Sequence, residues 1–467
     1  MIDTKEETLS SFLYHVKKIA SNENKNIFFS VTKEIAPVNL LNVFDHFDHK
    51  NTNRYYWSNH QQDFCLLGIG TAKEMVCQNG EVETVRSKWH KLLEEAVEYN
   101  PFSYAGTGIT AASGMAFDPT RPESSEWSNY APAMLTIPRF MLAYTEGRYF
   151  LTMNDYIDEH TLIANVLETA ESFEQELYTP VFTKDQVPQR VTGKKVLKPE
   201  EWKELVQKAV EEIKSGQAKK IVLAREIQLT LNKQAHIGNM LRRLLRTQPN
   251  SYVFAYEAGD DCFIGATPER LVLVEDQHIL STCLAGTAPR GKTMDEDEDL
   301  ANDLLRDEKN LEEHDYVVQM IKDSIASYCV DIHIPEAPVI YPLQNLQHLY
   351  TPVKATLKEP YDVFDLIKNL HPTPALGGVP RQKALKFIRE NEFMDRGWYG
   401  APVGWLDSSR HSEFAVAIRS GLVHNDEVNL FAGCGVMRDS DPEMEFEETK
   451  VKFLPMLNVL EDNDGSY

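Results

Sequence analysis

Four carboxylates and two lysines carry the most chemistry in this sequence. In SDPEMEFEETKVK (440–452), Ser440 reads as an N-cap, Pro442 suits the first helical turn and Glu443 completes a capping box. On the helix so defined, Glu445 and Glu448 are three apart and share a face, while Glu448 and Lys452 have the spacing of an ordinary exposed pair. Far upstream, in DEKNLEEHDYVVQMI (307–321), His314, Val317, Val318 and Ile321 recur with helical period. Glu313 therefore lies at the edge of an apolar stripe, where an unpaired carboxylate is costly, and it needs a partner or a cation. Carboxylates from two helices, with water completing the shell, suit Mg²⁺; no EF-hand spacing favours Ca²⁺. Both segments are dense in acid: 295–313 holds ten acids against Arg306 and Lys309, and 438–448 holds six against Arg438. Solvated helical faces are the plain alternative.

The elements that must position these groups follow from periodicity. A helix over 200–215 starts at Pro199-Glu200-Glu201 and leads into a strand, IVLAREIQLT (221–230). Further strands are predicted at 251–257, 270–275, 278–285, 413–424 and 428–436, and helices at 298–327, 362–370, 380–391 and 443–460. The first 180 residues are mixed, with FCLLGIGTAKEMV and YFLTMNDYI as strand candidates after an amphipathic N-terminal helix. Strands come in hairpin-like clusters, not each followed by a helix. An α+β fold with extended antiparallel sheets flanked by helices is therefore expected, rather than a doubly wound one. Residues 182–200 are polar and contain two prolines and a glycine, a connection between an N-terminal portion (1–185) and a second region (199–458) packed into the same fold.

Composition narrows the partners. The chain has 467 residues with 71 acidic and 48 basic side chains, a formal charge of −23. Nucleic acid and anionic membranes, which need clustered Lys and Arg, are excluded as partners, and small molecules are expected. Glycine-rich AGTGITAASG (105–114) lacks GxGxxG spacing, and no phosphate-binding GxxxxGK[ST] occurs. The six cysteines form no CxxC pair, so buried reduced thiols are expected. With no apolar leader and no long apolar run, a cytoplasmic protein is expected.

Between the acidic segments lies an ordered set of blocks: Lys220 at the head of KIVLARE, GATPER (265–270) with Glu269, LAGTAPRG (284–291), LQHL (346–349) with His348, HPTPALGGVP (371–380), WYGAPVGW (398–405), AIRSG (417–421) and AGCGVM (432–437). In these blocks the sequence resembles the chorismate-utilising enzymes, a family that includes isochorismate, salicylate, anthranilate and aminodeoxychorismate synthases. The resemblance is specific over about 199–458 and loose before it. Water-adding members resemble this chain in carrying a lysine at Lys220, where anthranilate synthases have glutamine. Isochorismate synthases resemble it in the alanine at Ala375, where salicylate and anthranilate synthases have threonine.

The resemblance implies an isomerase that converts chorismate to isochorismate reversibly, water adding at ring C2 while the C4 hydroxyl departs. Lys220 would be the base and Glu269 the acid, so Lys220 must be partly neutral and Glu269 protonated at the start. Mg²⁺ held by Glu313 and Glu448, with Glu445 acting through water, would bind the ring carboxylate beside Gly286 and Thr287. Arg419 and Tyr399 would take the enolpyruvyl carboxylate, with backbone N–H groups of Gly433 and Gly435 and the charge of Lys452. His348 would lie near the ring, in a structural or a proton-handling role. His314 and His371 are read as structural, and Cys434 as a small residue without thiol chemistry. No obligatory protein partner is implied, and the product would feed menaquinone or a catechol siderophore. The rivals are a salicylate synthase, which also eliminates pyruvate, an ammonia-using anthranilate synthase component I, and a non-catalytic chorismate-binding protein.

Overall fold

The structure is a computed structural model that describes residues 4–48, 52–121, 124–179, 188–344 and 346–461. Among these residues, two large sheets of 13 and 10 strands stack face to face with helices on both outer sides. Among the described residues, strand pairing is antiparallel except where Ile27–Ile35 runs parallel to Val97–Tyr99. The α+β expectation with extended antiparallel sheets holds.

Strands from both ends of the chain share each sheet. In the larger one, Arg54–Ser58 pairs with Tyr252–Ala258, and in the smaller, Thr110–Met115 pairs with Pro402–Asp407. Alternation along the strands sorts the core into layers. Tyr252, Phe254 and Tyr256 point between the sheets into an aromatic core with Trp57, Phe263, Trp398 and Trp405, whereas Val253 and Ala255 face the outer helices. The outer helices bury single stripes: in Pro199–Lys214, Trp202, Leu205, Val206, Ala209, Val210 and Ile213 are inside.

Four expectations are corrected. The helix predicted over 298–327 is two, Met294–Leu304 and Glu308–Ile325, because the Asp307 side chain accepts from Asn310 N and starts a new helix. The strand predicted over 413–424 is split into Ser412–Val416 and Ser420–His424, in different sheets, with Arg419 at φ 51° between them. The C-terminal helix, Pro442–Leu460, is capped by Asp441, whose carboxylate accepts from the N–H groups of Glu443 and Met444. Ser440 instead donates to Glu445 Oε1 at 2.7 Å, so the Ser440–Glu443 capping box does not form. Within the 182–200 connection, Val191–Val196 is an edge strand on Lys220–Leu231, while 182–187 lie outside the described residues.

Candidate active site

The chain crosses from one sheet to the other at two corners that lie side by side. Glu269 sits between Asp261–Thr267 in the larger sheet and Arg270–Glu275 in the smaller, and Arg419 sits on the return crossing. The corners bind each other: Val416 N donates to Glu269 O at 2.9 Å, and Ala266 N to Arg419 O at 3.0 Å. A left-handed backbone at a non-glycine residue is strained, and here the surrounding hydrogen bonds hold it. The result is a polar cleft of about 330 Å³ at the meeting of the sheets.

Lys220, Glu269, Gly286, Thr287, Glu313, His348, Ala375, Tyr399, Arg419, Gly433, Gly435, Glu445, Glu448 and Lys452 all line this one cleft. Every residue singled out in the sequence as catalytic, substrate-binding or metal-binding thus meets at one place. The cleft also contains Lys309, Asn310, Leu376, Arg396, Ile418 and Met437, which the sequence reading missed. Asn310 had a signal, since it lies one helical turn before Glu313.

Charges dominate the electrostatics. Burial pushes the Glu269 carboxyl up to about 7, against the pull of Lys220, Arg419 and Lys452. Glu269 does not pair with its neighbour Arg270, which bonds Glu413 instead. Burial would also raise Glu313, but the Lys220 ammonium that donates to it holds its carboxyl below the ordinary value. On the opposite wall, Lys452 pairs with Glu448 at 2.6 Å and donates to Gly433 O at 2.8 Å. Burial and the neighbouring Glu448 raise Glu445, though Ser440 donates to it; its Oε2 is buried with no hydrogen-bond partner. The Arg419 guanidinium, lowered by burial, makes no hydrogen bond to protein among the described residues.

Strand register explains the two glycines of AGCGVM. Val222 lies opposite Gly435 and Ala224 opposite Gly433. Val222 N donates to Gly377 O, Val222 O accepts from Arg396, and Ala224 N donates to Glu392. These groups therefore point away from the shared ladder, and in an antiparallel pair so do those of the residues opposite. The N–H groups of Gly433 and Gly435 are thereby turned out of the ladder. Gly435 has a second reason to be glycine: a Cβ there would lie 2.6 Å from Lys220 Cε.

The histidines separate by partners. Burial brings His348 down to about 3, so it is neutral; its Nδ1 lies 3.0 Å from Thr287 Oγ1 and 3.3 Å from Gly286 O. His314 uses both nitrogens, on Ala285 O and Thr351 Oγ1. His371 Nε2 is 3.2 Å from Phe117 O. Cys434 is buried and its thiol is pushed up by burial; all six cysteines are free and buried.

For a cation the donor chemistry fits and the arrangement is open. Glu313, Glu445 and Glu448 supply hard oxygens on two walls of one cleft, and the buried Glu445 Oε2, without a hydrogen-bond partner, has acceptor capacity to spare. Among the described residues no three such side chains form a ready-made cage of direct ligands.

The family described as chorismate binding enzyme matches residues 14–461. The chain is 37% identical over 469 aligned positions to an isochorismate synthase, MenF, of Bacillus subtilis, covering 98% of this chain and 99% of that one. It is 33% identical to the salicylate biosynthesis isochorismate synthase of Pseudomonas aeruginosa, over 94% of this chain and 91% of that one. The solved menaquinone-specific isochorismate synthase of Escherichia coli has the same fold, with a TM-score of 0.78 at 22% identity, covering 96% of this chain and 99% of that one. On its match over nearly its whole length, this chain belongs to the chorismate-binding enzymes.

Proposed function

We propose that the protein is an isochorismate synthase, interconverting chorismate and isochorismate by adding water at ring C2 and expelling the C4 hydroxyl. The observation that carries this is Glu269: a buried carboxyl held up to about 7, in the same cleft as Lys220. Hydroxide is a poor leaving group, and a carboxyl protonated near neutrality is the acid that expelling it requires.

In the forward direction Lys220 takes a proton from the attacking water as its oxygen bonds to C2. The ring double bond shifts, the C4–O bond breaks and Glu269 gives its proton to the departing oxygen, which leaves as water. Solvent returns a proton to Glu269 and removes one from Lys220, so the net change is an isomerisation. Lys220 donates to Glu313 in this structure, and acting as base requires that pair to open and the ammonium to lose a proton to solvent before water attacks. The Arg419 guanidinium, with no hydrogen-bond partner among the described residues, is free to take a carboxylate in two parallel hydrogen bonds. Tyr399 and the outward N–H groups of Gly433 and Gly435 complete that side. Neutral His348 can orient the ring or its hydroxyl but cannot supply a proton at neutral pH.

Glu313 and Glu448, with Glu445 through water, are the residues that would hold Mg²⁺. When bound, the ion supplies positive charge for the ring carboxylate next to Gly286 and Thr287. Ala375 lines the cleft, and the resemblance to isochorismate synthases at this position, where salicylate synthases have threonine, supports simple isomerisation over pyruvate elimination. Among the described residues no helix is long and apolar enough to cross a membrane, and a cytoplasmic enzyme acting without an obligatory protein partner is the reading that fits.

Turnover in H₂¹⁸O tests the chemistry. Isochorismate formed by this route carries one ¹⁸O, at the C2 hydroxyl. Unlabelled isochorismate would mean that the C4 hydroxyl migrates and that solvent water is not the nucleophile.

A further inference from the structure

A further ion pair, Glu392–Arg396, reaches the cleft wall only through Arg396 and takes no part in the chemistry above. The side chains of Glu392 and Arg396 are 0% and 4% exposed. Arg396 Nε donates to Glu392 Oε2 at 2.8 Å and Arg396 Nη2 to Glu392 Oε1, with the guanidinium stacked 4.1 Å from the centre of the Phe117 ring. The rest of the fork is spent on backbone. Nη2 donates to Val222 O at 2.8 Å and Nη1 to Leu376 O at 3.0 Å, while Glu392 Oε1 accepts from Ala224 N at 2.7 Å.

These contacts select two segments of the cleft wall. Val222 and Ala224 follow Lys220 on one face of the same strand, and Leu376 adjoins Ala375. The strand and the 373–377 turn also meet directly, through Val222 N to Gly377 O at 3.2 Å. One planar fork spans both segments, which a lysine ammonium cannot do. A buried pair of charges gives the fold little net stability over apolar residues of similar size, so its retention calls for another reason.

We propose that Glu392 and Arg396 are positioning residues for the isomerisation: they fix the strand that carries Lys220 against the Ala375 turn, and so set where the base stands relative to the ring. This rests on the isochorismate synthase reading. Misplacing a base by about 1 Å costs on the order of 100-fold in rate, whereas the carboxylate-binding groups at Arg419 and Gly433 lie on other segments, and Tyr399 is tied to Arg396 only through backbone, Tyr399 N to Arg396 O at 2.8 Å, a contact that a side-chain replacement leaves in place.

Two variants test it, Arg396→Lys and the double replacement Glu392→Met with Arg396→Met, which removes both charges at similar volume. Wild-type turnover of chorismate is measured first; its absence would defeat the isochorismate synthase reading and this proposal with it, whereas the outcomes below bear on this proposal alone. In folded variants, kcat should fall at least ~10-fold, KM for chorismate should stay within ~3-fold, and the alkaline midpoint of kcat/KM, set by Glu269, should not move. Wild-type kcat in a folded double variant would overturn the proposal, as would a loss carried by KM or a displaced midpoint. Loss of the fold in both variants would also overturn it, by making the pair a folding element only.

Discussion

Replacing Glu269 with glutamine should make the protein more stable at alkaline pH while nearly abolishing turnover. In the fold the carboxyl titrates at about 7, against 4.5 for an ordinary glutamate. Between those values the native state binds more protons than the unfolded chain, so stability falls as pH rises through this window and is level above it. At about 1.4 kcal/mol per unit, the cost of holding an ionised Glu269 above neutrality is about 3 kcal/mol. Glutamine carries no charge and escapes that cost. An unfolding entropy of roughly 2.1 cal/mol/K per residue makes 3 kcal/mol worth about 3 °C in a chain of 467 residues. The assay is the melting temperature of both proteins without substrate at pH 5 and pH 8. The variant's margin over wild type should widen by about 2–3 °C between the two. Its kcat should be lower by a factor of ~10²–10⁴ at either pH, since an amide cannot protonate the leaving oxygen. Wild-type kcat/KM should in turn decline as pH rises through about 7. A stability margin that is equal at both pH values would show that Glu269 ionises like a surface glutamate, and it could not then be the resident acid.

Lys220→Ala should lower kcat by ~10²–10⁴ with little change in KM; an unchanged kcat would remove Lys220 from the base role. Gly435→Ala is a milder probe, because the new methyl meets the flexible end of Lys220, 2.6 Å from Cε and 3.1 Å from Nζ. It should displace the amine and cost ~10-fold or more in kcat while leaving the melting temperature nearly unchanged, and a wild-type kcat would refute the crowding. Exhaustive chelation with EDTA should abolish turnover and Mg²⁺ should restore it; activity that persists in chelator would refute the metal assignment of Glu313, Glu445 and Glu448.

Much of the cleft was legible in the sequence because its residues lie in short blocks whose order and spacing are specific. The sheets were legible for a simpler reason: alternation along strands such as 251–257 is the direct imprint of a two-faced layer. What was illegible depended on tertiary context. The 413–424 segment alternates like one strand, yet it changes sheets at Arg419, whose left-handed backbone no sequence period records. Ser440 and Asp441 are both good caps, and the choice between them turns on Glu445 claiming the Ser440 hydroxyl. Glu392 and Arg396 gave no signal, since the partners that define them are the backbones of Val222, Ala224 and Leu376. The acidity of the chain was a lead that needed refinement. Glu313, Glu445 and Glu448 enter the cleft, while Asp297 in the dense 295–299 run is tied to Arg290 and Gly291 N, which bring it down to about 2.

The most direct test of the central claim is the product ratio when purified protein is incubated with chorismate and Mg²⁺. The account predicts isochorismate rising to an equilibrium mixture with chorismate, reached equally from either side, and no accompanying pyruvate. Pyruvate released in step with salicylate would contradict it, as would turnover that begins only when ammonia is supplied and yields anthranilate.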